Sequence, residues 1–263
     1  MARQRLAYRP GRSWLHRLHP LVKLGWLALL SLALFVAPTG ALVAVTLAVA
    51  LLALWATGLR SWREFPGLRL LLPTCALLFV LQALFRREGE VVVRLWPFGG
   101  GALPVTDAGL AVGWLISGRF LAIILLSYAL LLSTEPNDLA YALMAAGLPY
   151  RYGFMLVTAL RLMPIFELEG NTVYDAQLAR GVRYDARSPL RLLTLLRRLL
   201  LPLLVSALGK VDALAVSMEG RGFGQYPDRT FLREVRMSRR DWWAAAWLAL
   251  AAVALVVWWV SGG

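Results

Sequence analysis

Asp175-Ala-Gln-Leu-Ala-Arg-Gly-Val-Arg-Tyr184 is echoed further along the chain by Val216-Ser-Met-Glu-Gly-Arg-Gly-Phe223. In each stretch an arginine stands between two small residues where a long helical pattern meets a glycine. Arg180 lies between Ala179 and Gly181, and Arg221 follows Glu219 and Gly220 and precedes Gly222. Each guanidinium should therefore stand clear of bulky neighbours at an exposed helix end, a shape suited to docking into a groove on another protein. The same pattern is also that of an ordinary capped helix, because a helix C-terminus favours a cation and a glycine just beyond it takes the left-handed conformation. Context decides between the two readings.

The chain has 263 residues, 59% of them hydrophobic, with mean hydropathy +0.64, and this is too apolar for an ordinary soluble domain. It reads as an all-α integral membrane protein. A net charge of +13 raises the question of nucleic acid. The basic residues, however, alternate with long apolar runs and form no single face with aromatic stacking groups, so they read as topology markers and nucleic acid is not an expected partner. The single cysteine, Cys75, lies inside an apolar run, leaving no disulfide framework and no thiolate metal cluster.

Five membrane spans are expected. Arg3, Arg5, Arg9, Arg12, Arg17 and Lys23 precede or open the first, at residues 21–37, which reads as an uncleaved helix with its N-terminus in the cytoplasm. His19-Pro20 sits at its first turn, where proline is tolerated. His16 and His19 have no carboxylate or thiol nearby in sequence and read as interfacial polar groups, so no metal site is expected. A Pro38-Thr-Gly40 turn leads into a second span at 41–57, and Arg60, Arg63 and Arg69 then mark the cytoplasmic side. A third span covers 70–85, with Pro73 near its start. The stretch 86–107, with Val91-Val-Val, Trp96-Pro-Phe and Gly99-Gly-Gly, reads as a short external hairpin or re-entrant loop.

The fourth span, 110–132, contains Arg119. A central arginine costs roughly 2.5 to 3.5 kcal/mol on insertion scales, which makes it a functional candidate; set a little below the outer end, it snorkels instead. Gly109 and Gly113 form a small-xxx-small pair suited to close approach of a neighbouring helix. Residues 1–132 thus form an N-terminal membrane domain, and 242–260, with tryptophans at both ends, supply the last span within a C-terminal segment 242–263 whose tail is external.

Residues 133–241 hold 15 of the 28 lysines and arginines and should be cytoplasmic. Three helices are expected: 137–146, capped by Thr134 or Asn137; about 150–180; and about 189–221. The two long ones each turn from apolar to amphipathic and carry an internal proline, Pro164 and Pro202, where each should bend as at a hinge. Bent, half-amphipathic helices fit a coupling platform at the membrane surface.

A His-Pro-x-x-Lys approach to the first span, Ser133-Thr-Glu-Pro-Asn-Asp-Leu139, Arg161-Leu-Met-Pro164, Ala176-Gln-Leu-Ala-Arg-Gly181 and Met218-Glu-Gly-Arg-Gly-Phe223 occur in that order. Together they resemble the transmembrane T subunit of energy-coupling factor (ECF) transporters, the group that includes CbiQ-type cobalt-transport proteins. The resemblance covers nearly the whole chain, and the paired arginine motifs are its most specific part. It implies that Ala179, Arg180 and Gly181, with Glu219, Gly220, Arg221 and Gly222, dock into grooves on two ATP-binding-cassette ATPase subunits. It further implies a substrate-capturing membrane S subunit as partner and uptake of a vitamin or of cobalt or nickel, in a bacterial or archaeal plasma membrane. Arg180 matches the family's Ala-Arg-Gly pattern in full. Gly220 stands where that pattern has alanine, and His19 where it tends to have aspartate.

The residues also exclude chemistry. No phosphate-binding Gly-x-x-x-x-Gly-Lys-Ser/Thr loop exists, since Gly209-Lys210 is followed by valine and lacks the upstream glycine. No catalytic set and no zinc-ligand spacing is present, so catalytic residues and bound cofactors are expected to be absent, with ATP and magnesium held by the partner subunits. Two alternatives fit the residues less well. A membrane-embedded CDP-alcohol phosphotransferase needs several metal-binding aspartates at helical spacing, whereas Asp175 and Asp185 stand alone. A conventional importer permease docks one coupling loop into one ATPase, whereas this chain carries two arginine-tipped helices.

Overall fold

The computed structural model describes residues 11, 13–58, 66–86, 88–95, 103–182, 184, 189–225 and 235–261. Arg3, Arg5, Arg9, Arg12, Arg60, Arg63, Trp96-Pro-Phe, Gly99-Gly-Gly, Asp185 and the last two residues of the tail lie outside them. In chain order the elements are α1 (Trp14–Arg17), α2 (Pro20–Val36), α3 (Gly40–Ala56), α4 (Pro66–Phe85), β1 (Val91–Leu95), β2 (Leu103–Thr106), α5 (Asp107–Ser133), α6 (Pro136–Ala145), α7 (Tyr150–Ala179), α8 (Pro189–Gly220) and α9 (Arg239–Val260). Among the described residues the regular elements are all helices apart from one antiparallel pair, β1 with β2, in which Leu95 is in register with Leu103. The stretch expected to be a hairpin or re-entrant loop therefore contains a hairpin. By length and composition α5, α8 from Leu190 onward, and α9 could each cross a membrane, and α2, α3 and residues 70–85 of α4 are shorter apolar helices.

The chain divides into two compact units, one of residues 5–145 with 235–263 and one of 146–234. In the first, α5 is the central helix, packing on α2, α3 and α4, while α2 also meets α6 and α9. Its buried positions explain the arrangement. Gly109, Gly113, Ser117 and Gly118 come first, then Ala122, Leu125, Leu126, Ala129 and Leu132. The small residues let backbones approach at one end, and the leucines fill a wider core at the other, with Ala50 and Leu54 of α3. A Cβ added at Gly113 would come within 3.2 Å of the Phe79 carbonyl oxygen of α4, so the Gly109/Gly113 pair is a true helix–helix contact. Gly113→Leu should force α4 and α5 apart. A loss of about 1 to 3 kcal/mol is expected from such overpacking, read as a lower thermal midpoint of the purified protein.

The other end of α5 meets a buried polar cluster. Lys23 Nζ donates to Ser133 O at 2.9 Å, Ser133 Oγ at 3.4 Å and Thr134 Oγ1 at 3.2 Å, so all three ammonium protons have acceptors. His19 Nδ1 accepts from Leu21 N, capping α2, and His19 N donates to Asp241 Oδ1 at 2.8 Å. Asp241 closes a capping box with Ser238 at the start of α9. The expected cap of the 137–146 helix is corrected here. Thr134 serves Lys23, and Asn137 lies within the first turn of α6, its amide donating to Glu135. Pro136 supplies the preset φ of that first turn instead. The four-residue α1 carries too few apolar positions to show a period, and no sequence expectation included it.

Candidate functional site

In the unit of residues 146–234, α7 and α8 form an antiparallel pair. Phe154 packs on Phe223 with ring centroids 4.6 Å apart, and Tyr150 lies 5.6 Å from the same ring. Midway, Ser206 Oγ donates to Glu169 Oε2 at 2.9 Å and Lys210 Nζ pairs with Glu169 Oε1. Nearer the other end, Gln177 Nε2 donates to Arg198 O at 3.4 Å. As the α7 partner advances from 154 to 177, the α8 partner retreats from 223 to 198. The C-terminus of each helix therefore lies at an opposite tip of the pair, roughly 35 to 40 Å apart at 1.5 Å of rise per residue.

Both C-termini close in the same way. Gly181, with φ +81°, donates to Leu178 O at 2.9 Å, and Val182 N donates to Gln177 O at 3.1 Å. Gly222, with φ +65°, donates to Glu219 O at 2.9 Å, and Phe223 N donates to Met218 O at 2.9 Å. This five-to-two and six-to-one pairing is the Schellman closure, which satisfies carbonyls the helix end would leave open. Arg180 and Arg221 hold the same place in it, between the last helical residue and the left-handed glycine. Ala179, Arg180, Glu219, Gly220 and Arg221 are exposed. No hydrogen bond or ion pair joins either guanidinium to the described residues.

Gly181 and Gly222 are explained by their positive φ. Gly220 is not: it ends α8 in ordinary helical conformation, and a Cβ placed on it meets nothing within 4 Å. A helical glycine costs about 1 kcal/mol relative to alanine, and no described residue packs against it to offset that.

α7 and α8 are helical through Pro164 and Pro202. A proline at 202 has no N–H for the carbonyl four residues back, that of Arg198, which is where Gln177 Nε2 donates. Gln177 thus joins the first arginine cap, through its own carbonyl, to the proline turn of α8, through its amide. Sequence reasoning placed Gln177 in the motif and missed this role. The offset of four between Arg198 and Pro202 was the available signal, but it names the open acceptor and not its donor. Gln177→Met, of similar length without the amide, should reopen that carbonyl and cost about 1 kcal/mol, measurable as a lower thermal midpoint with the helix content retained.

Glu169 links the pair at its middle. The hydrogen bond from Lys210 holds its carboxyl below its ordinary range against some desolvation, and Ser206 adds to the depression. A depressed folded value means that the ionised group's contribution is present above the ordinary carboxyl range and lost as pH falls through the folded value. Unfolding of the pair should thus become easier on acidification into that range, and Glu169→Gln should flatten this part of a stability-versus-pH curve.

Arg119 belongs to the other unit and not to this site. Its guanidinium carbon lies 4.7 Å from the Phe35 ring centroid, a cation–π distance, and its Nε is buried without a partner among the described residues. Phe35 is the penultimate residue of α2, and Trp114, one and a half turns earlier on α5, donates to the carbonyl of Gly40, the first residue of α3. Arg119 is thus level with the end of α2 while standing at the middle of α5, twelve residues from Asp107.

Residues 11–232 match a family model described as CbiQ, cobalt transport protein. The chain is 35% identical over 246 residues to the energy-coupling factor transporter transmembrane protein EcfT of Lacticaseibacillus paracasei, covering 90% of this chain and 91% of that one. It is 30% identical over 262 residues to the EcfT of Exiguobacterium sibiricum, covering 97% of each, and 30% identical over 248 residues to that of Bacillus subtilis, covering 89% of each. These relatives give no support to a membrane-embedded phosphotransferase.

Proposed function

The chain belongs to the CbiQ family, as a transmembrane component of energy-coupling factor transporters, and on that premise we propose that it is the non-catalytic subunit that carries ATPase motion to a substrate-capturing membrane subunit. The observation that carries this reading is the pair of matched arginine caps at opposite tips of α7 and α8. Two exposed cations with small neighbours, roughly 35 to 40 Å apart along one helix pair, suit two separate grooves better than one. Arginine fits such grooves because its fork bonds carboxylates or helix-end carbonyls while staying charged.

In this mechanism nucleotide-driven closure of the two ATPases moves Arg180 and Arg221 toward each other. Pro164 and Pro202 are the hinges at which the helices yield. The apolar residues left exposed on α8, among them Leu193, Leu200 and Leu204, pass the movement to the capturing subunit. ATP and magnesium stay with the ATPases. The basic weight of residues 133–241 favours their cytoplasmic placement at a plasma membrane, with the N-terminus inside and the C-terminus outside. The transported substrate is a vitamin or a cobalt or nickel ion, chosen by the capturing subunit.

Cysteine placed at 180 or at 221, with Cys75 replaced by alanine, tests the docking. Each should give a disulfide-linked product with an ATPase subunit carrying cysteines along its groove. An assembled complex in which neither position crosslinks would overturn the assignment.

A further inference from the structure

The Arg119 guanidinium has a ring on one face and no acceptor among the described residues. Its Nε is buried, none of its nitrogens is hydrogen-bonded to them, and Phe35 covers it at 4.7 Å. The surrounding sequence explains the missing acceptor. No aspartate or glutamate precedes Glu64, so α2 and α3 carry none, and α5 carries none between Asp107 and its end at Ser133. Residues 91–106, some of which lie outside the described residues, carry none either. The neighbours of Arg119 are instead apolar and outward-facing. Leu32 and Phe35, one turn apart on α2, and Phe120 on α5 are all exposed.

Depth decides which anion can reach this group. Lys23 of α2 meets Ser133 at the end of α5. Twelve residues further along α2 stands Phe35, and fourteen residues back along α5 stands Arg119, roughly 20 Å from that contact by either helix. The helices α2 and α3 have 17 residues each, about 25 Å of rise against a hydrocarbon layer of about 30 Å. With the buried Lys23 cluster toward one membrane surface, the α2–α3 turn ends short of the other. Headgroups move inward over such short helices, and long cationic side chains reach outward to them. Trp114, bonded to the Gly40 carbonyl at the same turn, is the indole expected at such a boundary.

We propose that Arg119 binds the phosphate of a phospholipid in the leaflet on the side of the α2–α3 turn. Phosphate oxygens match the guanidinium fork, and the Phe35 ring holds the guanidinium from its other face. The acyl chains of the same molecule then cover Leu32 and Phe120. A phospholipid thus brings the anion and the apolar cover together. A carboxylate on a neighbouring helix would itself have to be carried into the apolar layer, at a cost like that of Arg119. The site does not rest on the coupling reading.

The test uses the purified full-length chain in detergent, titrated with phosphatidylglycerol and read by native mass spectrometry. Wild type should hold one phosphatidylglycerol more tightly than any further ones, and Arg119→Gln should bind it about tenfold more weakly. Diacylglycerol with the same acyl chains lacks the phosphate and should bind wild type and variant alike. Arg119→Lys keeps the charge and loses the fork, so its affinity should fall between, and it decides the matter if the glutamine variant does not fold. Phosphatidylglycerol affinity in the folded variants equal to that of wild type overturns the site. So does a difference that diacylglycerol reproduces, because apolar contact would then account for it. The lysine variant also tests for a protein anion. In the native membrane, a carbodiimide that condenses the lysine amine with a carboxylate of another polypeptide, forming an amide as the carbodiimide becomes its urea, would assign Arg119 to that polypeptide and overturn the lipid.

Discussion

Reversing both charges, Arg180→Glu with Arg221→Glu, is expected to strip the ATPase subunits from the affinity-purified chain, whereas either single reversal should leave part of them bound. Arginines seated centrally in a partner groove are frequent binding hot spots, and losing one typically costs about 2 kcal/mol or more, roughly a thirtyfold loss of affinity. Two such contacts on one helix pair act together, because the second docks at the high local concentration set by the first. The double variant loses that gain as well. The chain should still fold. Both side chains are exposed and make no hydrogen bond or ion pair with the described residues, so the internal cost is limited to about 0.3 to 1 kcal/mol each from placing an anion at a helix C-terminus. ATPase retention on the tagged chain, read beside its thermal midpoint, separates docking from folding. Full retention in the double variant at an unchanged midpoint would return both arginines to the role of ordinary helix caps.

Much of this arrangement was legible in the residues. The stretches expected at 41–57 and 110–132 are helical, as Gly40–Ala56 and Asp107–Ser133. Gly109 and Gly113 mark the α4 contact, since a small-xxx-small pair constrains one helix face whatever its partner. The two arginine caps were legible for a similar reason: a Schellman closure is local, and its glycine sits one residue beyond the cation. What sequence could not supply is closure over distance. His19 meets Asp241 across 222 positions, and Lys23 meets Ser133 and Thr134 across 110 and 111. The His-Pro-x-x-Lys stretch advertises a turn and a cation but carries no sign of which chain segments will answer it. The misplaced cap at Thr134 follows from the same blindness, because a hydroxyl that looks free to cap a helix was claimed by a lysine from another one.

That distant closure makes Asp241→Ala the substitution with the largest expected cost to the fold. Asp241 is 2% exposed, and its two carboxylate oxygens accept from His19 N and Ser238 N, each at 2.8 Å. Alanine removes the reciprocal half of the α9 capping box, a loss of about 1 kcal/mol. It also leaves the His19 N–H, on a residue only 4% exposed, without its acceptor, and an unsatisfied buried donor costs about 1 to 3 kcal/mol more. A drop of roughly 10 °C in thermal midpoint is the expected order for such a loss in a unit of this size. Asp241→Asn should fall between, because an amide oxygen can still accept from one N–H but its NH2 faces the other donor. Lys23→Met supplies the matching case on the α5 side, leaving the Ser133 carbonyl and the Thr134 hydroxyl without their common donor. Additive losses in the Asp241→Ala, Lys23→Met double variant would mean two independent staples on α2. A combined loss clearly smaller than the sum would mean a single network, in which the first break already frees the start of α2 from both α9 and the end of α5. The second outcome is expected, because His19 and Lys23 lie one helical turn apart and the backbone that Asp241 holds is the backbone that aims Lys23.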